Sequence, residues 1–308
     1  MKNLFKKIYR LVKNYFKPNA NKNKAVIHSD KIEIKDEISE LLIRCRILNI
    51  NEPLTPVYKG IFNDIKNLKD GDFHENNDRL YFKYDNIIYA IETLEDFYIV
   101  HELIWKGEYN VVNKSESTIF IDIGMNVGFT SLFFSNKNDV EKVYAFEPFK
   151  ETIDQALKNF ELNKLISNKI KVMPYGLSDK NEIVEFKYNY QWKGSMGLRE
   201  LSVHKTGGNE RMIKLELVKA SDILKDIIEQ HKNKSIVCKI DCEGSEYGII
   251  DDLNKHKLLS KLDILMIEWH DKGPAKLVNI LHDNGFNVLS KDPNSSDIGM
   301  VYAFNAMK

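Results

Sequence analysis

The chain has 308 residues, 43% apolar and 29% charged, with 45 basic and 45 acidic side chains and no net formal charge. These values describe an ordinary globular protein, long enough for one large domain with extensions or two small ones. The balanced charge gives no overall pull toward nucleic acid, and no apolar run approaches the roughly 18 residues of a membrane span.

Residues 1–24 carry eight positive charges and no acid, from Lys2 to Lys24. Leu4, Phe5, Ile8, Leu11, Val12, Tyr15 and Phe16 recur at helical spacing, which predicts a helix with one apolar and one basic face, ended by Pro18. Such a segment suits an anionic membrane surface; the other reading is a terminal helix packed on its own chain or on a partner. It lacks the continuous apolar core of a signal peptide. The expected location is the cytoplasm, with peripheral contact at the inner face of the membrane through this segment. The three cysteines, Cys45, Cys238 and Cys242, lack the paired spacing of a zinc site and are expected as free thiols.

Residues 25–115 form an extension of mixed character. Ile38 to Ile47 predicts a short helix, and Pro53 and Pro56 mark a turn. Leu80–Tyr84 and Ile87–Ile91 are β-prone runs joined by Asp85-Asn86, a hairpin signal. Thr93 caps a helix that runs to about Trp105, where Gly107 stops it. This region is expected to pack against a core formed by residues 116–308.

From Ile119 strands and helices alternate, the pattern of an α/β sheet. Ile119–Ile123 is a buried strand that runs into Gly124-Met125-Asn126-Val127-Gly128 and then a helix. The expectation is a cradle in which Gly124 lets backbone approach a ligand. Val143–Phe146 is the next strand, and Glu147 at its end lies nineteen residues after Gly128. A carboxylate there is placed to grip a ribose diol. Strand 169–174 leads to the turn Gly176-Leu177-Ser178-Asp179. Asn189 to Ile213 breaks the rhythm; Tyr190 and Trp192 in it are either a stacking surface for a sugar or part of a surface excursion. Ser221 or Asp222 is expected to cap the helix that follows strand 213–218. Strand Ile236–Ile240 ends in Asp241-Cys242-Glu243-Gly244-Ser245-Glu246, and strand Leu262–Ile267 ends in Glu268-Trp269-His270. Phe286–Ser290 and Met300–Phe304 close the chain as an antiparallel pair, which predicts a seven-stranded sheet. The glycine pattern and this closing hairpin disfavour a nicotinamide enzyme.

With these residues collected, the chain resembles the FkbM-type family of S-adenosylmethionine (SAM)-dependent methyltransferases. The resemblance rests on Ile121–Gly128, Ala145–Pro148, Gly176–Asp179, Lys239–Glu246 and Ile267–His270, in order over about residues 95–305. One departure is Met125 in place of a small residue, expected to crowd the cofactor tail. The resemblance implies the class I, Rossmann-like fold with an antiparallel closing strand, an N-terminal α+β extension beyond its reach, and SAM as methyl donor. It implies transfer to a hydroxyl, often of a sugar in a surface glycan or lipid-linked saccharide, and the Lys/Asn/Ile-rich chain looks bacterial. Cofactor binding is then assigned to Asp122, Gly124, Asn126, Gly128, Glu147, Ser178, Asp179 and Asp241. The catalytic candidates are His270, Asp241 and Glu243, with His270 and Asp241 rival bases. A divalent metal on Asp241, Glu243 and Glu268 is the less favoured alternative, and a catalytically silent subunit that binds a partner or glycan is the runner-up reading. The expected partner is a glycan or small hydroxyl acceptor, not nucleic acid.

Overall fold

The computed structural model describes residues 37–113, 115–188, 211–292, 294–295 and 297–307. The basic segment 1–24 and Tyr190 and Trp192 lie outside the described residues.

The extension opens with α1 (Glu37–Arg44) and α2 (Pro56–Lys66). Pro56 was expected only to mark a turn. It starts a helix, with the Thr55 hydroxyl accepting the Tyr58 amide, because a fixed φ and a missing N–H cost nothing in a first turn. Strands β1 (Gly71–Asn76), β2 (Arg79–Tyr84) and β3 (Ile87–Ile91) form an antiparallel meander. The hairpin at Asp85-Asn86 is as read from the sequence, with both residues at positive φ. Thr93 and Asp96 make a reciprocal capping box at the start of α3 (Leu94–Val100). That helix continues to Trp105 as a π-helical turn, His101–Trp105.

The central sheet has, among the described residues, seven strands in the order β12-β13-β11-β10-β4-β5-β6. They are β4 (Thr118–Ile123), β5 (Val140–Phe146), β6 (Ile170–Met173), β10 (Ser235–Ile240), β11 (Ile264–His270), β12 (Phe286–Lys291) and β13 (Ile298–Asn305). Only β13 runs against the others. The expected sheet and closing hairpin are therefore present. Buried on both faces, β4 and β10 read as near-continuous apolar runs. Helices α4 (Phe129–Ser135), α5 (Lys150–Leu162), the short α6 (Lys164–Ser167), α7 (Ala220–Gln230), α8 (Glu246–Lys255) and α9 (Ala275–Asp283) make the crossovers.

Two local expectations change. Ser221 does not cap α7; it lies inside it, and its amide donates to Asp252 at 2.7 Å. Gly176–Ser178, read as a turn, is a short strand, β7. With β9 (Arg211–Lys219) and β8 (Glu182–Tyr188) it forms a second three-stranded sheet beside the carboxyl end of the central one. Among the described residues no helix is long and apolar enough to cross a membrane.

Candidate active site

The chain leaves β4 toward β5 on one side and returns through β10 on the other. The carboxyl ends of β4 and β10 therefore part at a topological switch point, where open α/β sheets form a crevice. A cavity opens there. Its polar rim is Gly124, Asn126, Glu147, Asp241, Glu243 and Ser245. Its apolar wall is Phe146, Phe149 and Leu177, continued by Val184 and Phe186 of β8 and Leu215 and Leu217 of β9.

The turn after β4 is shaped by positive φ at Gly124 (83°), Asn126 (52°) and Gly128 (82°). Gly124 was expected to make room for a ligand. The structure gives another reason. A Cβ there would lie 1.7 Å from the Asp241 carbonyl oxygen, so the glycine lets the ends of β4 and β10 touch. Met125, expected to crowd the cavity, points into the apolar core at 2% exposure. The Gly124 and Met125 amides both donate to the Phe146 carbonyl, which fixes the turn on β5.

Glu147 is buried at the end of β5. Its two carboxylate oxygens accept the Asn126 amide at 2.9 Å and the Phe149 amide at 3.1 Å. Each oxygen keeps a second lone pair. Burial pushes this carboxyl up to about 7, against the pull of the two amides. The Asn126 side-chain oxygen is buried with no hydrogen-bond partner among the described residues.

Asp122 does not line the cavity. It is fully buried one step behind, accepting from Ser131 Oγ at 2.6 Å and lying 3.3 Å from Lys239 Nζ. The two residues face each other across the β4–β10 register. Lys239 also donates to the Gly124 carbonyl at 2.7 Å and lies 3.4 Å from Asp241 Oδ2. Burial disfavours its charge, but Asp122 and Asp241 outweigh that and hold its pKa above the ordinary lysine value. This buried cation was given no role from sequence. The signal was there: two apolar strands each carry one charge of opposite sign, one residue before the strand ends, and a buried charge needs a partner.

Asp241 and Glu243 reach the cavity; His270 does not. His270 is 1% exposed, with Nδ1 at 3.0 Å from Glu246 and Nε2 at 3.6 Å from Glu243. Burial alone lowers its pKa, yet Glu243 and Glu246 raise it to about 10. A ring that already holds its proton at neutral pH, buried behind Glu243 and not among the residues that line the cavity, is placed to hold the β10 and β11 loops together, not to take a proton. Glu246 completes that clamp by accepting the Gly244 and His270 amides, both at 2.8 Å. Glu243 sits at φ 50°, a strained backbone for a non-glycine residue. Ser178 and Asp179 stand just past the cavity, whose wall there is Gly176 and Leu177. Ser178 is buried and donates to Asp179, and Asp179 packs near Gly248 of α8.

Tyr109 of the extension has no motif to betray it. Its hydroxyl bridges Asp241 Oδ2 at 3.3 Å and Glu268 Oε2 at 3.1 Å. Burial, then Asp241 and Glu102, push the Glu268 carboxyl well up. Among the described residues no group of three or more His, Cys, Asp or Glu side chains is arranged to hold a metal ion.

A mixed seven-stranded sheet, with a glycine turn and a buried acid at the ends of neighbouring central strands, defines the class I methyltransferase architecture. The chain belongs to the FkbM methyltransferase family: residues 122–288, more than half of it, match the methyltransferase FkbM domain. It is similar to methyltransferase sdnD of Sordaria araneosa, 24% identical over 222 residues, covering 65% of this chain and 85% of that one. Among solved structures it is similar to methyltransferase FkbM from Methylobacillus flagellatus KT, at 14% identity and TM-score 0.40. That alignment covers 87% of this chain and 61% of the other, so the chain spans under two thirds of that protein's length. It is also similar to Streptococcus pneumoniae Sp1610, a putative tRNA (m1A22) methyltransferase in complex with SAM, at 14% identity and TM-score 0.37, covering 62% and 67% of the two chains.

Proposed function

We propose that the protein is a SAM-dependent O-methyltransferase acting on a sugar hydroxyl of a surface glycan or lipid-linked saccharide. The observation that carries the cofactor assignment is Glu147. It is a buried carboxylate, fixed through two backbone amides and left with one lone pair on each oxygen, a match for the two hydroxyls of a ribose. The unpartnered Asn126 oxygen offers an acceptor to the ammonium of the methionine part. The apolar wall of Phe149, Leu177 and Phe186 fits a base. Asp122 supports this arrangement from behind, through Lys239 and the Gly124 carbonyl.

When bound, SAM supplies a methyl group already activated on a sulfonium. The chain's own task is to align the acceptor and take its hydroxyl proton. Asp241 is the base, because it reaches the cavity whereas His270 does not. One Asp241 carboxylate oxygen is held by Lys239 and Tyr109. The other, Oδ1, has no partner among the described residues and would take the proton that the acceptor hydroxyl gives up. A positioned base contributes about 10²–10⁴-fold. The basic, amphipathic residues 1–24 support a lipid-linked acceptor.

Calorimetry with SAM, and separately with NADH, is the first test, followed by labelled SAM with a fractionated cell-envelope extract. Heat with SAM and label in a saccharide fraction are expected. No heat with SAM would defeat the reading. SAM binding with no labelled product from any fraction would favour the silent subunit.

A further inference from the structure

The extension and the acceptor edge of the cavity meet at Tyr109. Three contacts place it there. Glu108 is tied to the closing hairpin by Lys291 Nζ at 2.6 Å and by the Tyr302 hydroxyl, whose one proton lies between the Glu108 carbonyl at 2.9 Å and its carboxylate at 3.1 Å. The Tyr109 ring, 5% exposed, lies under Lys239, with Nζ 5.6 Å from its centre. Its hydroxyl, with one proton to donate, lies between Asp241 Oδ2 at 3.3 Å and Glu268 Oε2 at 3.1 Å. The π-helical turn His101–Trp105 just before it is of the kind that often re-aims a helix at a functional site.

Asp241 is thus held on one oxygen by two donors from different parts of the chain: Lys239 on its own strand and Tyr109 on the extension. A carboxylate gripped at Oδ2 cannot rotate freely, and Asp241 is among the residues that line the cavity. We propose that Tyr109 is the positioning residue for Asp241, so that the N-terminal extension supplies an obligatory part of the active site. Tyr109 does not line the cavity itself and acts through Asp241. Glu268 is the second anchor that keeps the Tyr109 hydroxyl in place. This inference rests on the assignment of Asp241 as the base.

An interaction that orients a base is expressed when the proton moves, not when the substrates bind. Replacing Tyr109 by Phe keeps the ring over Lys239 and removes only the hydroxyl. The test is steady-state transfer of label from SAM to the envelope fraction that accepts it, with SAM affinity by calorimetry and thermal melting on the same samples. For Tyr109→Phe, kcat is expected to fall about ten- to a hundredfold. SAM affinity and the KM for the acceptor should stay within about twofold of wild type, since neither rests on the lost hydroxyl. Glu108→Ala, which frees the segment from Lys291 and Tyr302, should reproduce the kcat loss in weaker form, again with SAM affinity kept.

An undiminished kcat in Tyr109→Phe overturns the proposal. So does a fall in kcat matched by an equal fall in SAM affinity or by an early melt, which would mark a merely structural hydroxyl. If wild-type protein binds SAM and Asp241→Asn transfers at full rate, the assignment of Asp241 fails, and the role of Tyr109 with it. If Asp241→Asn is inactive and Tyr109→Phe is not impaired, only the inference about Tyr109 falls.

Discussion

At the scale of single residues, Glu147 stores a conflict between folding and binding. Its carboxyl titrates near 7 in the folded protein, well above the ordinary glutamate range, because burial strips water from the charge. The sign follows from linkage. A raised carboxyl favours the fold while it is protonated, so the free protein loses stability as pH climbs from about 4.5 to 7, on the order of 3 kcal/mol in all. Ribose hydroxyls instead need the ionised form, with lone pairs on both oxygens. SAM affinity is therefore expected to be about tenfold lower at pH 6 than on its plateau above pH 8. Calorimetry across that range checks it, and Glu147→Ala should bind weakly at every pH without this step. A flat wild-type profile would mean that Glu147 does not touch the cofactor.

At the scale of elements, the loops after β10 and β11 are locked by a buried clamp, not by sheet hydrogen bonds. His270 lies between Glu243 and Glu246, and its pKa of about 10 makes it a cation at neutral pH. A histidine raised on folding contributes its full stability below the unfolded value of about 6.5 and loses it as pH rises through the folded one. Denaturant midpoints should fall between pH 7 and 10, and His270→Gln should start lower and show little of that decline. The sequence made the end of β10 legible, because its apolar run stops where the acids begin at Asp241, whereas β11 runs on through Glu268 to His270, past the acid expected to end it. It did not reveal which of these side chains face the cavity. Facing depends on the positive φ of Glu243 and on the contact between Gly124 and the Asp241 carbonyl, neither of which has a one-dimensional signature. The helix opened by Pro56 shows the same limit, since a proline marks a turn and a first helical position equally well.

At the scale of the whole molecule, extension and sheet share one apolar core. Tyr89 of β3 packs edge-on against Phe129 of α4, with ring centres 5.0 Å apart, and Leu42, Ile65 and Phe97 belong to the same buried cluster as Phe120 and Val143. The hairpin, its turn and the capped helix of the extension were each readable from local chemistry. Their attachment was not, because its polar part includes two asparagines, Asn159 on α5 and Asn163 at the C-cap of that helix, that bond to strand backbone. Asn163 accepts the Ile88 amide at 2.9 Å and donates to its carbonyl at 2.7 Å, so a side-chain amide stands in for a neighbouring strand. Asn159, fully buried, accepts the Ala90 amide at 3.0 Å and donates to the Val127 carbonyl at 2.9 Å, which ties β3 to the glycine turn itself. Asn159→Ala would leave the buried Val127 carbonyl and the half-buried Ala90 amide unpaired, at about 1–3 kcal/mol for the buried group and less for the other. With the core shared, that loss should be felt by the entire molecule: calorimetric melting should remain a single transition, lowered by about 2–4 °C per kcal/mol lost. SAM affinity should fall as well, since the Val127 carbonyl belongs to the turn that carries Asn126. A melt that splits in two, with the later step at the wild-type temperature, would show instead that the extension unfolds alone and that the turn does not depend on it.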